Sequence, residues 1–181
     1  NALKNKTSTT ISFEPSTSNL RCLSRNISIN KLENKIKVFS LPLTNTENKF
    51  FIMNESHFNE GGALNTFGRD YNFEGKTFKP EMKYQLLGTT INYLLDSKIL
   101  DVPDYIKIDV DGIEHLILEG SNKYLINKKI KSIIVEINEN FTEQYEKVLD
   151  IMQKNEFKIL NKDQNLEVSN KKSVKFQKTS N

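Results

Sequence analysis

Residues Asp104–Gly120 read DYIKIDVDGIEHLILEG, and Ser132–Asn138 read SIIVEIN. In the first stretch, the apolar and β-branched residues of Tyr105–Val110 predict a short strand. Ile113, Leu116, Ile117, Gly120, Tyr124 and Leu125 then recur at offsets 0, 3, 4, 7, 11 and 12, which is one face of a helix. Ser132–Ile137 is strongly β-branched and predicts a second strand. A strand, a helix and a strand with acids at both strand ends is the parallel unit of an α/β protein. In an open sheet of such units, ligands sit beyond the carboxyl ends of the strands.

The same alternation extends in both directions. Upstream, Thr9–Pro15 (TTISFEP) predicts a strand that meets a turn. Ser16, Thr17 or Ser18 can cap a helix carrying Leu20, Leu23 and Ile27 and running to about Asn30. Lys35–Leu43 (KIKVFSLPL) is the next strand, with Pro42 placed where pairing has ended. Residues 47–88 mix aromatics with Gly and Asn without a sustained period, which predicts a hairpin or long loop, an irregular insertion or lid that can conceal short strands. Met82–Leu87 is a candidate strand within it, and Thr89 or Thr90 can cap a helix carrying Ile91, Leu94, Leu95 and Ile99.

Downstream, Asn140 with Glu143 forms a candidate capping box for a helix whose inner face is Tyr145, Val148, Leu149 and Met152. Phe157–Leu160 and Ser173–Gln177 suit a terminal antiparallel pair, with Lys171, Lys172, Lys175 and Lys178 making residues 170–181 a basic, frayed end. There are no internal repeats. The expectation is one domain over residues 1–181, α/β in class, with a doubly wound, mostly parallel sheet and a C-terminal antiparallel strand pair.

The chain has 181 residues, 36% of them hydrophobic, enough for one sizeable core. A net charge of +3 with 27% charged residues points to a solvated surface, not to nucleic acid or an anionic membrane. Cys22, the single cysteine, excludes an internal disulfide and is read as a small buried side chain. No apolar run reaches the roughly 18 residues of a membrane span, so a soluble cytoplasmic protein is the default expectation.

Candidate chemistry therefore belongs at the strand ends: Glu14, Leu41 to Thr44, Asp109 to Asp111, and Glu136 to Asn138. Glu14 can accept hydrogen bonds from both hydroxyls of a cofactor ribose, or can lie at the N-terminus of the following helix and favour its dipole. Lys107, Asp109 and Asp111 alternate with Ile106, Ile108 and Val110. A lysine within a covered sheet needs a counter-charge, and Glu136 on the neighbouring strand is the expected partner. Asp109, Asp111 and Glu114 can alternatively gather oxygen ligands for Mg²⁺ or Ca²⁺, and Asp111 can simply cap the helix after Gly112.

His57 and His115 lack partners at zinc spacing, and no serine sits in a G-x-S-x-G elbow. His115 reads as a surface or hydrogen-bonded helix residue, whereas His57, near Gly61 and Gly62, could touch a substrate. The loop aromatics Phe50, Phe51, Phe58, Phe67, Tyr71 and Phe73 read as core or lid packing.

The ordered pieces FEPSTSNLRCLSRNI, FSLPLTN, GGALNTFG, TTINYLLD, PDYIKIDVDGIEHLILEG and IIVEIN resemble the FkbM-family methyltransferases, over about Thr9–Leu160. KIDVDG-x-E is the most specific element. The resemblance implies a Rossmann-like fold and S-adenosylmethionine, with Glu14 at its ribose and Ser40, Leu41, Pro42 and Leu43 beside its adenine. Asp109, Asp111 and Glu136 would line the reaction side, with Asp109 the first choice of base and Asp111 the second. The implied reaction is methyl transfer to a hydroxyl of a sugar or polyketide-like acceptor, with a divalent metal as an option. Asn92 stands where the family often has Asp.

In cofactor-binding folds of this kind the acid follows a Gly-rich turn by about 20 residues. Glu14 has thirteen residues before it and none is Gly. The first, glycine-motif strand is thus expected to be missing and Asn1–Lys6 to be the tail of the first helix. A fragment of this kind would bind cofactor poorly. A non-catalytic remnant or interaction domain is the rival reading. A nicotinamide-dependent oxidoreductase is disfavoured by the acidic strand end and the lack of a Tyr-x-x-x-Lys pair.

Overall fold

A computed structural model describes residues 7–57, 59–77, 79–164 and 171–179. The helix tail expected at Asn1–Lys6, together with Phe58 and the outer parts of the basic C-terminal end, lies outside them.

In chain order the elements begin with β1 (Thr10–Phe13), α1 (Thr17–Ile29) and β2 (Ile36–Phe39). Ser16 caps α1, its hydroxyl accepting the Asn19 N–H at 3.2 Å, as the Ser-rich start predicts. Cys22 on this helix is only partly buried, so the expected buried thiol is not seen. The segment 47–88 folds into β3 (Lys49–Glu55), β4 (Thr66–Phe67) and β5 (Met82–Gly88). The short helix α2 (Ile91–Asp96) starts at its predicted cap, Thr90, whose hydroxyl accepts the Tyr93 N–H at 3.0 Å.

The decisive stretch becomes β6 (Tyr105–Ile108), α3 (Glu114–Glu119), α4 (Asn122–Leu125) and β7 (Ser132–Asn138). The predicted continuous helix is broken at Gly120 because another part of the chain docks there. A Cβ on Gly120 would stand 2.1 Å from the carbonyl oxygen of Thr44. The Gly120 carbonyl itself accepts the Asn92 N–H at 2.8 Å. The last elements are α5 (Thr142–Lys154), β8 (Phe157–Gln164) and β9 (Lys171–Lys178). The Asn140–Glu143 capping box is not made: Phe141 is the N-cap, with no side-chain cap, and the Asn140 N–H goes to Asn138 Oδ1 at 3.0 Å.

Among the described residues the strands form three sheets, β1-β2, β4-β3-β5 and β6-β7-β9-β8. Among the described residues only β1 with β2 and β6 with β7 pair in parallel, along with an isolated parallel bridge from Leu43 to Thr89. The doubly wound, mostly parallel sheet expected from the alternation is therefore not what the described residues form. Two antiparallel ladders intervene: the 47–88 segment builds its own sheet, and β9 enters between β7 and β8. The predicted C-terminal antiparallel pair is present. Its second strand is interior to the sheet, so Lys171–Lys178 is not the frayed end that its charge suggested.

The main core lies on one face of this last sheet, where Ile108, Ile133, Val135, Ile137, Val174 and Phe176 meet Val148 and Met152 of α5 and Leu118 of α3. The strand alternation sends Tyr105, Lys107 and Asp109 to the opposite face, where all three are exposed. Among the described residues no helix is long and apolar enough to cross a membrane.

Candidate functional site

At the carboxyl end of β6 the chain leaves the sheet through Asp109, Val110, Asp111 and Gly112. Gly112 has φ +105°, and a Cβ there would meet the Asn72 carbonyl oxygen at 2.9 Å, so this exit needs glycine. Asp111 does not cap α3, whose N-cap is Ile113 without a side-chain bond. Instead Asp111 Oδ2 accepts the backbone N–H groups of Leu64 and Asn65 at 2.6 and 3.1 Å. Its other oxygen takes the Lys171 ammonium at 2.8 Å.

Lys171 is 8% exposed. It also reaches Glu136 at 3.2 Å and lies over the Phe73 ring, 5.1 Å from its centroid. Burial pushes the ammonium down, but Asp111 and Glu136 outweigh it and hold Lys171 above the usual lysine range.

The pair expected between Lys107 and Glu136 is not formed. Among the described residues β6 is the outer strand of its sheet; Lys107 is exposed and pairs with Asp109 at 2.6 Å, while Glu136 goes to Lys171. Partial burial pushes Asp109 up, yet the Lys107 hydrogen bond and charge, a Glu136 hydrogen bond and the Lys171 charge together hold it below the ordinary aspartate range.

Glu114 is fully buried, hydrogen-bonded by the Gln144 amide, and lifted well above the usual range mainly by desolvation. The proposed Asp109, Asp111 and Glu114 metal set is thus occupied by lysines and amides. Among the described residues no group of three or more His, Cys, Asp or Glu side chains could hold a metal ion. His115 is buried against Phe141, with Nδ1 unbonded among the described residues, and burial lowers its pKa. It is not the surface or hydrogen-bonded residue expected. His57 is exposed beside Glu81 at 3.1 Å.

A second acidic edge follows β1. Glu14 Oε1 accepts the Ser16 N–H at 2.9 Å at the start of α1. Burial raises its pKa, the Ser16 bond opposes this, and the charge of Glu55 adds to it. Beyond β2, Ser40 is exposed, Leu41 half-buried and Pro42 buried. The Pro42 carbonyl accepts the Thr89 N–H at 3.1 Å. Glu55, which no motif singled out, lies near enough to Glu14 for its charge to act there, and Tyr84 binds Glu55. The Tyr84 hydroxyl donates to Glu55 and accepts the Thr17 N–H at 3.2 Å. The loop after β3 joins the two edges: the Gly62 carbonyl accepts the Asn19 amide at 2.9 Å, while Leu64 and Asn65 bind Asp111.

A cavity of about 290 Å³ lies elsewhere, lined by Tyr105, Lys131, Ser132, Lys175 and Gln177 at the opposite end of β6 and β7.

The family model described as the methyltransferase FkbM domain matches residues 2–159, a span that includes both acidic edges. The chain belongs to the FkbM methyltransferase family. Among solved structures, a methyltransferase FkbM from Methylobacillus flagellatus KT aligns with a TM-score of 0.58 at 15% identity, over 93% of this chain and 36% of that one. This FkbM-family chain thus shares that fold and spans about a third of that protein's length. A chain from Clostridium thermocellum described as an inferred rRNA-methylase aligns at 9% identity and a TM-score of 0.48, over 97% of this chain and 75% of that one. No curated protein matches the sequence.

Proposed function

We propose that this FkbM-family chain contributes to an S-adenosylmethionine-dependent methyltransferase acting on a hydroxyl, on a sugar or polyketide-like small molecule, with Asp109 as the base. The observation that carries the assignment is solvent access. The Asp109 side chain is 39% exposed, against 15% for Asp111 and 10% for Glu136, and those two share Lys171. A carboxylate committed to a buried lysine is neutralised where it stands. Asp109 keeps an open side and stays ionised at neutral pH, as a proton acceptor within reach of a hydroxyl must.

The residues of the other edge fit the cofactor's nucleoside. Glu14 offers a carboxylate to the ribose hydroxyls, and Ser40, Leu41 and Pro42 present a mixed apolar wall for the adenine. When bound, S-adenosylmethionine supplies an electrophilic methyl group. The chain's own part is to hold the acceptor hydroxyl in line with it, the positioning that provides most of the rate, and to receive the proton at Asp109. Asp111 and Glu136, held by Lys171, keep the strand ends and the loop at Leu64 and Asn65 in place.

The test is transfer of a labelled methyl group to a panel of hydroxylated acceptors by the full-length protein. Asp109→Asn should lower the rate by about 10²- to 10⁴-fold, with S-adenosylhomocysteine affinity unchanged by calorimetry. Full activity in that variant, with loss in Glu136→Gln, would move the base to Glu136.

A further inference from the structure

We propose that Glu55 and Asn19, oriented by Tyr84, complete with Glu14 a subsite for a ligand bearing two adjacent hydroxyls. The inference rests on the cofactor reading above, in which the diol is the ribose.

The hydrogen-bonding groups of this corner are unbalanced. Glu14 holds the Ser16 N–H, and the Tyr84 hydroxyl has both of its bonds, to Glu55 and from Thr17. The Asn19 amide nitrogen donates to the Gly62 carbonyl, and its side chain also bonds Glu14. What remains is Glu55 Oε2 and Asn19 Oδ1, both buried and both without a hydrogen-bond partner among the described residues. Glu55 as a residue is 1% exposed. All the unmet capacity is acceptor capacity, and buried acceptors in native proteins are normally satisfied. A ligand that suits the corner brings donors, and a vicinal diol brings two without adding charge.

The four side chains come from the residue after β1, from α1, from β3 and from β5. Met53 is the ladder partner of Tyr84, and Glu55 lies two residues further along β3. Glu55 and Tyr84 are therefore diagonal neighbours on one face of the hairpin. Tyr84 acts through Glu55, fixing which oxygen is left for the ligand, and is a positioning residue.

Calorimetry of the full-length protein with S-adenosylhomocysteine and its 2′-deoxyribose counterpart tests this. The deoxy compound should bind at least about tenfold more weakly, the value of one hydrogen bond to a charged group. Glu55→Gln should weaken S-adenosylhomocysteine by a similar factor and shrink the deoxy penalty. Asn19→Ala provides the same comparison if Glu55→Gln does not fold. Equal affinities of the two compounds for the wild type overturn the inference together with the ribose role of Glu14, and an unchanged deoxy penalty in a folded variant overturns the inference alone. Displacement of the nucleoside by an alkylammonium such as spermidine but not by adenosine would assign the acceptors to a cation and overturn it too. Absence of any S-adenosylhomocysteine binding overturns it together with the cofactor reading.

Discussion

Glu114 shows how far a residue's environment can depart from its sequence context. In KIDVDG-x-E it reads as one more acid near a strand end, a possible metal ligand. In the fold it is buried and bonded to Gln144, with its pKa raised chiefly by desolvation. The sign of the consequence follows from linkage. The unfolded carboxyl titrates near the ordinary glutamate value of 4.5 and the folded one higher, so between the two the native state binds more protons. Stability from this group is fullest below pH 4.5 and falls as pH rises through the folded pKa. Asp109, whose pKa is lowered, contributes the opposite slope at acid pH. Glu114→Gln keeps the shape and cannot ionise. Its stability relative to the wild type should therefore rise as pH rises above about 4.5, measured by urea midpoints from pH 4 to 8. A pH-independent difference would show that Glu114 does not change ionisation on folding.

At the scale of elements, local signals served well wherever one face alone was apolar. Ser16, Thr90 and the Ile113-to-Leu125 spacing placed α1, α2 and the α3–α4 region because caps and 3.6-residue periods act over a few residues. β3 escaped because both its faces carry apolar side chains: Phe51 and Met53 turn inward, while Phe50 and Ile52 remain 63% and 45% exposed. The period of two is thereby blurred. The break at Gly120 was also invisible, since its cause is the backbone of Thr44, far away in sequence. Gly120→Ala would place a methyl 2.1 Å from that carbonyl oxygen, where no side chain can swing aside. It should cost about 3 kcal/mol, in the upper part of the overpacking range, seen as a lower urea midpoint at unchanged m-value. A loss under about 1 kcal/mol would mean that Thr44 moves freely and that the α3–α4 break is not pinned there.

Across the whole molecule, Lys171 is the tie. It belongs to β9, inside the four-stranded sheet, and it joins β7 through Glu136 to the β6 exit through Asp111. Through Asp111 it also supports the loop that reaches α1. Lys171→Met would remove the counter-charge that Asp111 and Glu136 share, a loss of about 3–5 kcal/mol. The amides of Leu64 and Asn65 should then exchange faster with deuterium, because Asp111 no longer has its counter-charge to hold it in place. Unchanged stability with unchanged exchange at both amides would show that Asp111 is oriented by the loop alone.

The sequence by itself determined the α/β elements, the acids at the ends of β1, β6 and β7, and the family resemblance in KIDVDG. These depend on periodicity, capping and short motifs, which are properties of neighbouring residues. Tertiary structure alone decided which charges meet. Lys107 meets Asp109 at the end of its own strand, while Glu136 is taken by Lys171. Lys171 gained both Asp111 and Glu136 across a separation of 60 residues from Asp111, and the charge of Glu55 came to act on Glu14. It also decided that the described strands divide among three sheets. Pairing of this kind is selected by burial and distance in the folded chain, and neither is encoded in the spacing of residues along it.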